Sequence, residues 1–184
     1  GHSMKRPETV GAIIKRHFPY SLTLGLMAIG FAAVFGTLLG VLAAARRNTW
    51  VDYAAMSVAL IGISIPSLVL GPIAIRYLAL ELGWVPAARA DGVVGYLAPA
   101  AVLGLIYAGT IARLARASMI ETLGEDYIRT ARAKGLPERR IVLRHALPVA
   151  IQPVVSIASV QLGFMLGGSV VIETVFTIPG LGQL

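Results

Sequence analysis

Four long stretches of this chain carry no ionised side chain: residues 20–45, 53–75, 93–112 and 146–172. Each is closed by a charge, Arg46, Arg76, Arg113 and Glu173 in turn. Each is also near the ~20 residues that an α-helix needs to cross a bilayer. Lipid offers the backbone no hydrogen-bond partner, so a spanning segment must satisfy its own N–H and C=O groups. That leaves helices as the simple solution, and the alternating pattern of a membrane barrel is absent. Only 14% of the chain is charged, against about 25% in ordinary soluble domains. The expected fold is all-α: a polytopic helical membrane protein with about four spans.

The first four residues, "GHSM" (1–4), look like an expression-tag scar. Residues 5–19 read as an amphipathic or interfacial segment without a signal-peptide cleavage pattern. Placing loops 46–52 and 113–145 in the cytoplasm puts ten Lys and Arg there, against six on the other side (Lys5, Arg6, Lys15, Arg16, Arg76 and Arg89). The positive-inside rule favours that orientation. The formal net charge of +7 mostly reports this loop bias. With no cysteine, disulfides and thiolate metal sites are excluded.

Ala32, Gly36 and Gly40 recur every fourth residue, as do Gly163 and Gly167. Small residues at that spacing let helices approach closely, and the expectation is tight packing within one subunit. Pro66, Pro148 and Pro153 are expected to break or kink their helices. Backbone freed by such breaks is tolerated in membranes where it meets protein or water. Ser64, Pro66, Ser67, Gln152, Ser156, Ser159 and Gln161 are therefore candidates for lining a polar path. The plainer alternative is that each Ser bonds its own helix backbone and each Gln joins helices.

The most polar stretch is "EDYIRTARAKGLPERRIVLRHALP", residues 125–148, with six basic and three acidic side chains. Glu125 and Asp126 suit the positive end of a helix dipole, and Gly135 suits the residue just past a helix end. Pro137 is well placed to open a second helix with Glu138 beside it. The expected product is a helix, a tight turn at Gly135 and a second amphipathic helix running into the last span. Ile128 and Ala131 or Ala133 would face apolar material, with Arg129, Arg132 and Lys134 in water. A solvated basic loop would explain the charge but not this order of signals. A DNA-reading helix-turn-helix is disfavoured, because its second helix continues directly into the membrane. A docking element for a protein partner fits best.

This stretch resembles the cytoplasmic EAA loop of permease subunits of bacterial ATP-binding-cassette importers, EAA-x3-G-x9-I-x-L-P. Gly135 matches the glycine, Ala131 the second alanine, and Leu147 with Pro148 the closing L-P. Arg129 and Thr130 stand in place of E and A, and His145 in place of I. "YIRTARAKGLPERRIVLRHAL" is similar to the version in the dipeptide/oligopeptide/nickel branch. "GISIPSLVLG", "LGWVPA" (82–87) and "VIETVFTIPGLGQL" agree with that branch, the last with the first of its two permeases.

The resemblance implies the type I importer permease fold, here as a fragment of a protein with about six spans in the bacterial inner (cytoplasmic) membrane. It implies a second homologous permease, two cytoplasmic ATPase subunits and an extracytoplasmic substrate-binding protein as partners. ATP and Mg would be bound by the ATPases, with no cofactor and no metal on this chain. Tyr127, Arg129, Thr130, Ala131, Lys134, Gly135 and Leu136 would form the ATPase docking turn and its flanks. The substrates implied are peptides, nickel chelates, glutathione or oligosaccharides. The residues themselves carry no G-x-x-x-x-G-K-[ST] and no H-E-x-x-H, so no catalytic residue is assigned. The rival readings are an intramembrane enzyme, for which no nucleophile–base pair stands at membrane depth, and a secondary transporter. That class usually shows an acid or a broken-helix ion site within the membrane, and the four apolar runs hold no acid.

Overall fold

The computed structural model describes residues 9–84 and 92–183. Lys5, Arg6, Arg89 and the second half of "LGWVPA" lie outside the described residues. Among the described residues nine α-helical segments follow one another: α1 (Val10–Ala45), α2 (Trp50–Ser64), α3 (Ser67–Ala74), α4 (Gly92–Leu123), α5 (Asp126–Ala133), α6 (Glu138–Arg140), α7 (Leu147–Ala150), α8 (Gln152–Gly168) and α9 (Val170–Val175). Wider π-helical turns, Ile75–Glu81 and Ile141–Ala146, extend α3 and join α6 to α7.

Among the described residues two helices, α1 and α4, are long and apolar enough to cross a membrane unaided. Both outrun the apolar stretches expected from sequence. α1 begins ten residues before Tyr20, and α4 runs on past Arg113 to Leu123. At 1.5 Å per residue, the 36 residues of α1 extend about 54 Å, well beyond the ~30 Å hydrocarbon core. Hydropathy marks the stretch that fits lipid, whereas helical hydrogen bonding continues into water. Residues 10–19 therefore belong to the same helix as the first apolar run.

The second and fourth apolar runs are each interrupted. α2 ends at Ile65, whose backbone is extended (φ −88°, ψ 121°), and Pro66 caps α3. The residue before a proline is pushed out of the helical region, which accounts for this break. In the fourth run the 47° bend falls at Ile151, between α7 and α8. Pro153 in the first turn of α8 sets that position. Pro148, expected to force the bend, instead follows the π segment directly and sits inside α7.

The fold divides into two compact units. The first contains residues 1–28, 66–103 and 162–184. Within it α3 and α9 meet closely, and a Cβ on Gly71 would lie 2.9 Å from Val175. The second contains residues 29–65 and 104–161. There the small residues of α1 face α4: a Cβ on Gly36 would come within 2.6 Å of the Ala108 carbonyl, and one on Gly40 within 2.5 Å of the Ala112 carbonyl. Ala32 is fully buried in the same seam, with Ala108, Ile111, Ala115 and Val154. Tight packing within one chain is what the 32–36–40 spacing predicted. Gly163 and Gly167 differ, since a side chain there would meet nothing within 4 Å. The same four-residue spacing has two fates because only one of these stripes is covered.

Gly40→Leu should destabilise the detergent-solubilised full-length protein by roughly 1–3 kcal/mol, the ordinary cost of overpacking a close contact. Gly163→Leu should leave thermal unfolding almost unchanged.

Candidate functional site

The charged hairpin, residues 125–150, belongs wholly to the second unit. Glu125 is the N-cap of α5 in extended conformation, and Asp126 occupies its first turn. The far end closes on Gly135 at φ +76°, a left-handed backbone that a Cβ would strain. The Leu136 N–H reaches back to the Ala131 carbonyl (3.3 Å) and the Gly135 N–H to the Arg132 carbonyl (2.9 Å). That pair of bonds is a Schellman helix ending, so the glycine expected to stop the helix does so. α6 starts at Glu138, one residue later than expected, with Pro137 as its N-cap. Across the turn Arg132 grips Glu138 through two hydrogen bonds, 2.7 and 3.3 Å. The Arg132 guanidinium holds the Glu138 carboxyl below its ordinary pKa.

The apolar side of the hairpin is anchored. Ile128, Ala131, Ile141, Ala146 and Ala150 are buried with Ala44 of α1 and Met119 of α4, and Val41, Leu123, Leu136 and Leu147 pack around them. Of the two alanines considered, Ala131 turns inward and Ala133 outward. Ala131 is only 7% exposed, so its small side chain first serves packing within this chain. A displacement of α5 would therefore be passed to the ends of two long helices.

The outward side presents a shallow depression of about 350 Å³ lined by Tyr127, Thr130, Ala131, Lys134, Leu136 and His145. Tyr127 leans on the His145 carbonyl (3.4 Å), and the Thr130 hydroxyl bonds the Asp126 carbonyl (2.9 Å). Arg129 is paired with Asp126 (3.2 Å), while Lys134 is exposed. Five of the seven expected docking residues thus line one depression. Gly135 shapes the turn that closes it, and Arg129 lies outside it.

The candidate path residues are not gathered in this way. Ser64, Ser156 and Ser159 each bond the carbonyl four residues earlier in their own helix, at 2.8, 3.2 and 3.0 Å. Pro66 and Ser67 form the break before α3, and Gln152 is exposed at the start of α8. Gln161 is buried with its side-chain carbonyl unpartnered.

Two buried carboxyl groups escaped the sequence reading. Asp52, 2% exposed, takes a two-pronged grip from Arg116 (2.6 Å to each oxygen) and a 3.0 Å bond from the Asn48 N–H. Asp52 read as the end of a loop, Arg116 as one more loop cation. Their separation of 64 residues hides the pair, although an acid in the first turn of a helix was a partial signal. In the first unit Glu173 is fully buried. It accepts hydrogen bonds from the Ser21 and Ser169 hydroxyls (2.6 Å each) and the Gly182 N–H (2.7 Å). The Leu181 N–H bonds Ser21 (2.8 Å), and His17 Nδ1 meets the Pro179 carbonyl (2.7 Å). This is why "IPGLGQ" wraps as it does: a Cβ on Gly180 would strike the Glu173 carboxyl itself. The visible signal was an acid set directly after an apolar run, four residues beyond a serine. Ser21→Ala should cost about 1–3 kcal/mol, because the Leu181 N–H loses its acceptor and the buried Glu173 carboxyl one of its donors. Thermal unfolding would measure the loss.

The comparisons with known proteins agree with this architecture. The chain is 44% identical over all 184 residues to the glutathione transport system permease protein GsiC of Escherichia coli (strain K12), and covers 60% of that protein. It is 45% identical over the same length to the dipeptide transport system permease protein DppB of Bacillus subtilis (strain 168), again covering 60%. It thus spans about three-fifths of the length of these curated relatives. Among solved structures, an inward-facing form of the MetNI methionine ABC transporter superposes with a TM-score of 0.78 at 24% identity. That match covers 97% of this chain and 81% of the other. An amino acid ABC transporter with histidines gives 0.66 at 16% identity, covering 94% and 76%. These two establish the fold. Residues 36–184 match the family described as binding-protein-dependent transport system inner membrane component, and the chain belongs to that family.

Proposed function

We infer that this chain supplies part of the transmembrane pathway of an ATP-driven importer for peptides or a related small solute such as glutathione. The observation that carries this reading is the hairpin. It is a short helix locked by a left-handed glycine and an Arg132–Glu138 clamp, with one face buried against α1 and α4 and the other open around Tyr127, Thr130 and Lys134. Such an element can receive a push on its open face and deliver it to the spans. The relatives named for glutathione and dipeptide transport support the substrate class.

In this reading the protein is multi-pass in the inner membrane, with the hairpin on the cytoplasmic side. It works with a second homologous permease, two ATPase subunits and an extracytoplasmic binding protein. ATP and Mg sit on the ATPases, and this chain has no catalytic role. A secondary transporter fits less well, because the two buried carboxyls among the described residues are fully engaged by donors of this chain. Asp52 is held by Arg116, and Glu173 by two hydroxyls and a backbone N–H.

Reconstitution of the full-length protein with its partner subunits in liposomes tests the proposal. Uptake of a labelled dipeptide or glutathione should require ATP and the ATPase subunits. Uptake driven by an ion gradient without the ATPases would establish the secondary transporter instead.

A further inference from the structure

A second cavity lies beside the hairpin and shares no residue with the docking depression. Its volume is about 540 Å³, within the roughly 300–1,000 Å³ typical of sites that hold small molecules. Val41, Leu42 and Ala45 from the last turns of α1 line one wall, Val142 and Leu143 of the π segment the other, and Arg139 stands among the lining residues. Leu42 and Leu143 are both about half exposed although apolar. Arg139 is exposed and has no acidic partner among the described residues. Arg46 and Arg47, also exposed, follow α1 immediately beyond this wall.

We propose that this cavity binds an anionic phospholipid of the cytoplasmic leaflet, one acyl chain between α1 and the π segment and the phosphate at Arg139. The chemistry of the lining selects the ligand. An apolar slot at the end of a membrane helix accepts a hydrocarbon chain, which a free phosphate ion lacks. The exposed Arg139 guanidinium in the lining attracts the negative headgroup, as basic pockets between membrane helices do on the cytoplasmic side. A zwitterionic lipid would fill the slot without gaining from Arg139. The site touches Arg132 and Glu138, the pair that clamps the hairpin turn. A bound lipid would therefore stiffen the base of that element without occupying its outer face.

The test uses the full-length protein assembled with its partner subunits in phosphatidylcholine vesicles. These are doped with phosphatidylglycerol or phosphatidylcholine bearing a photoreactive acyl chain, and labelled peptides are mapped by mass spectrometry. The expected result is labelling at Leu42, Val142 and Leu143 by the phosphatidylglycerol probe and much less by the phosphatidylcholine probe. Arg139→Gln should reduce it about five-fold, the loss expected for one juxtamembrane cation, while Arg139→Lys retains it. Leu42→Trp, which fills the slot without changing charge, should abolish labelling there. Equal labelling by both probes, or undiminished labelling in Arg139→Gln, would mean boundary lipid only and overturn the proposal. Labelling seen only when the ATPase subunits are absent would assign the cavity to a protein contact, and also overturn it.

Discussion

Replacement of Asp52 by Ala should be the most damaging single change to the stability of this protein, costing about 3 kcal/mol or more in detergent. Removing one partner of a buried ion pair typically costs about 3–5 kcal/mol, because the other charge is left without compensation. The Arg116 side chain is 28% exposed, so water recovers part of that cost and the lower end of the range applies. The Asn48 N–H would lose its acceptor as well, and Asn48 already holds a left-handed backbone at φ 61°. The turn between α1 and α2 is thus fastened to α4 through one carboxylate. A double-mutant cycle separates the pair from its surroundings. Asp52→Ala with Arg116→Met should recover much of the loss, since well-packed apolar substitutes for buried pairs are often neutral. A single mutant that unfolds like the parent would show that the turn is held by something else.

Thr130→Trp should produce the largest functional loss. Thr130 lies on the outer face of α5, and its hydroxyl bonds only its own helix. An indole there would fill the depression between Tyr127, Lys134 and His145 while leaving the buried side of the hairpin intact. ATP-driven uptake by the assembled transporter should fall about ten-fold or more, as expected when a central docking contact worth roughly 2 kcal/mol is lost. Membrane insertion and unfolding temperature should be unchanged. Ala131→Arg is a less selective probe. Ala131 is buried with Met119 and Ile141, so a guanidinium there would disturb this chain before any partner arrived. Uptake at the parental rate by Thr130→Trp would remove the outer face of α5 from the docking surface.

Much of this was legible along the chain because it is local. A run without charges declares a membrane helix through its own composition, and Gly135 declares a helix end through its own backbone freedom. Pro66 acts on the residue beside it, so that break was legible too. Features that depend on distant residues were not. Pro148 and Pro153 both permit a bend, and the bend falls at Ile151 beside Pro153, while Pro148 follows a π segment and sits inside α7. Gly36 and Gly163 belong to identical spacings, yet only the first has a helix against it. Ala131 shows the same limit within the docking stretch. The motif marks a small residue, but not whether its smallness admits a partner or the chain's own Met119. Asp52 with Arg116, and Glu173 with Ser21, join residues 64 and 152 positions apart, and no periodicity reports such pairs.

The most direct test is a crosslink. These 184 residues hold no cysteine; with any cysteine elsewhere replaced, single cysteines at Thr130 and Lys134 of the full-length protein can be paired with cysteines on the candidate ATPase subunit in native membranes. Efficient crosslinking that changes with ATP is the result predicted for a hairpin through which the ATPases move the spans. Free labelling of both positions by soluble reagents, with no crosslink in any nucleotide state, would contradict it and leave the hairpin a solvated basic loop.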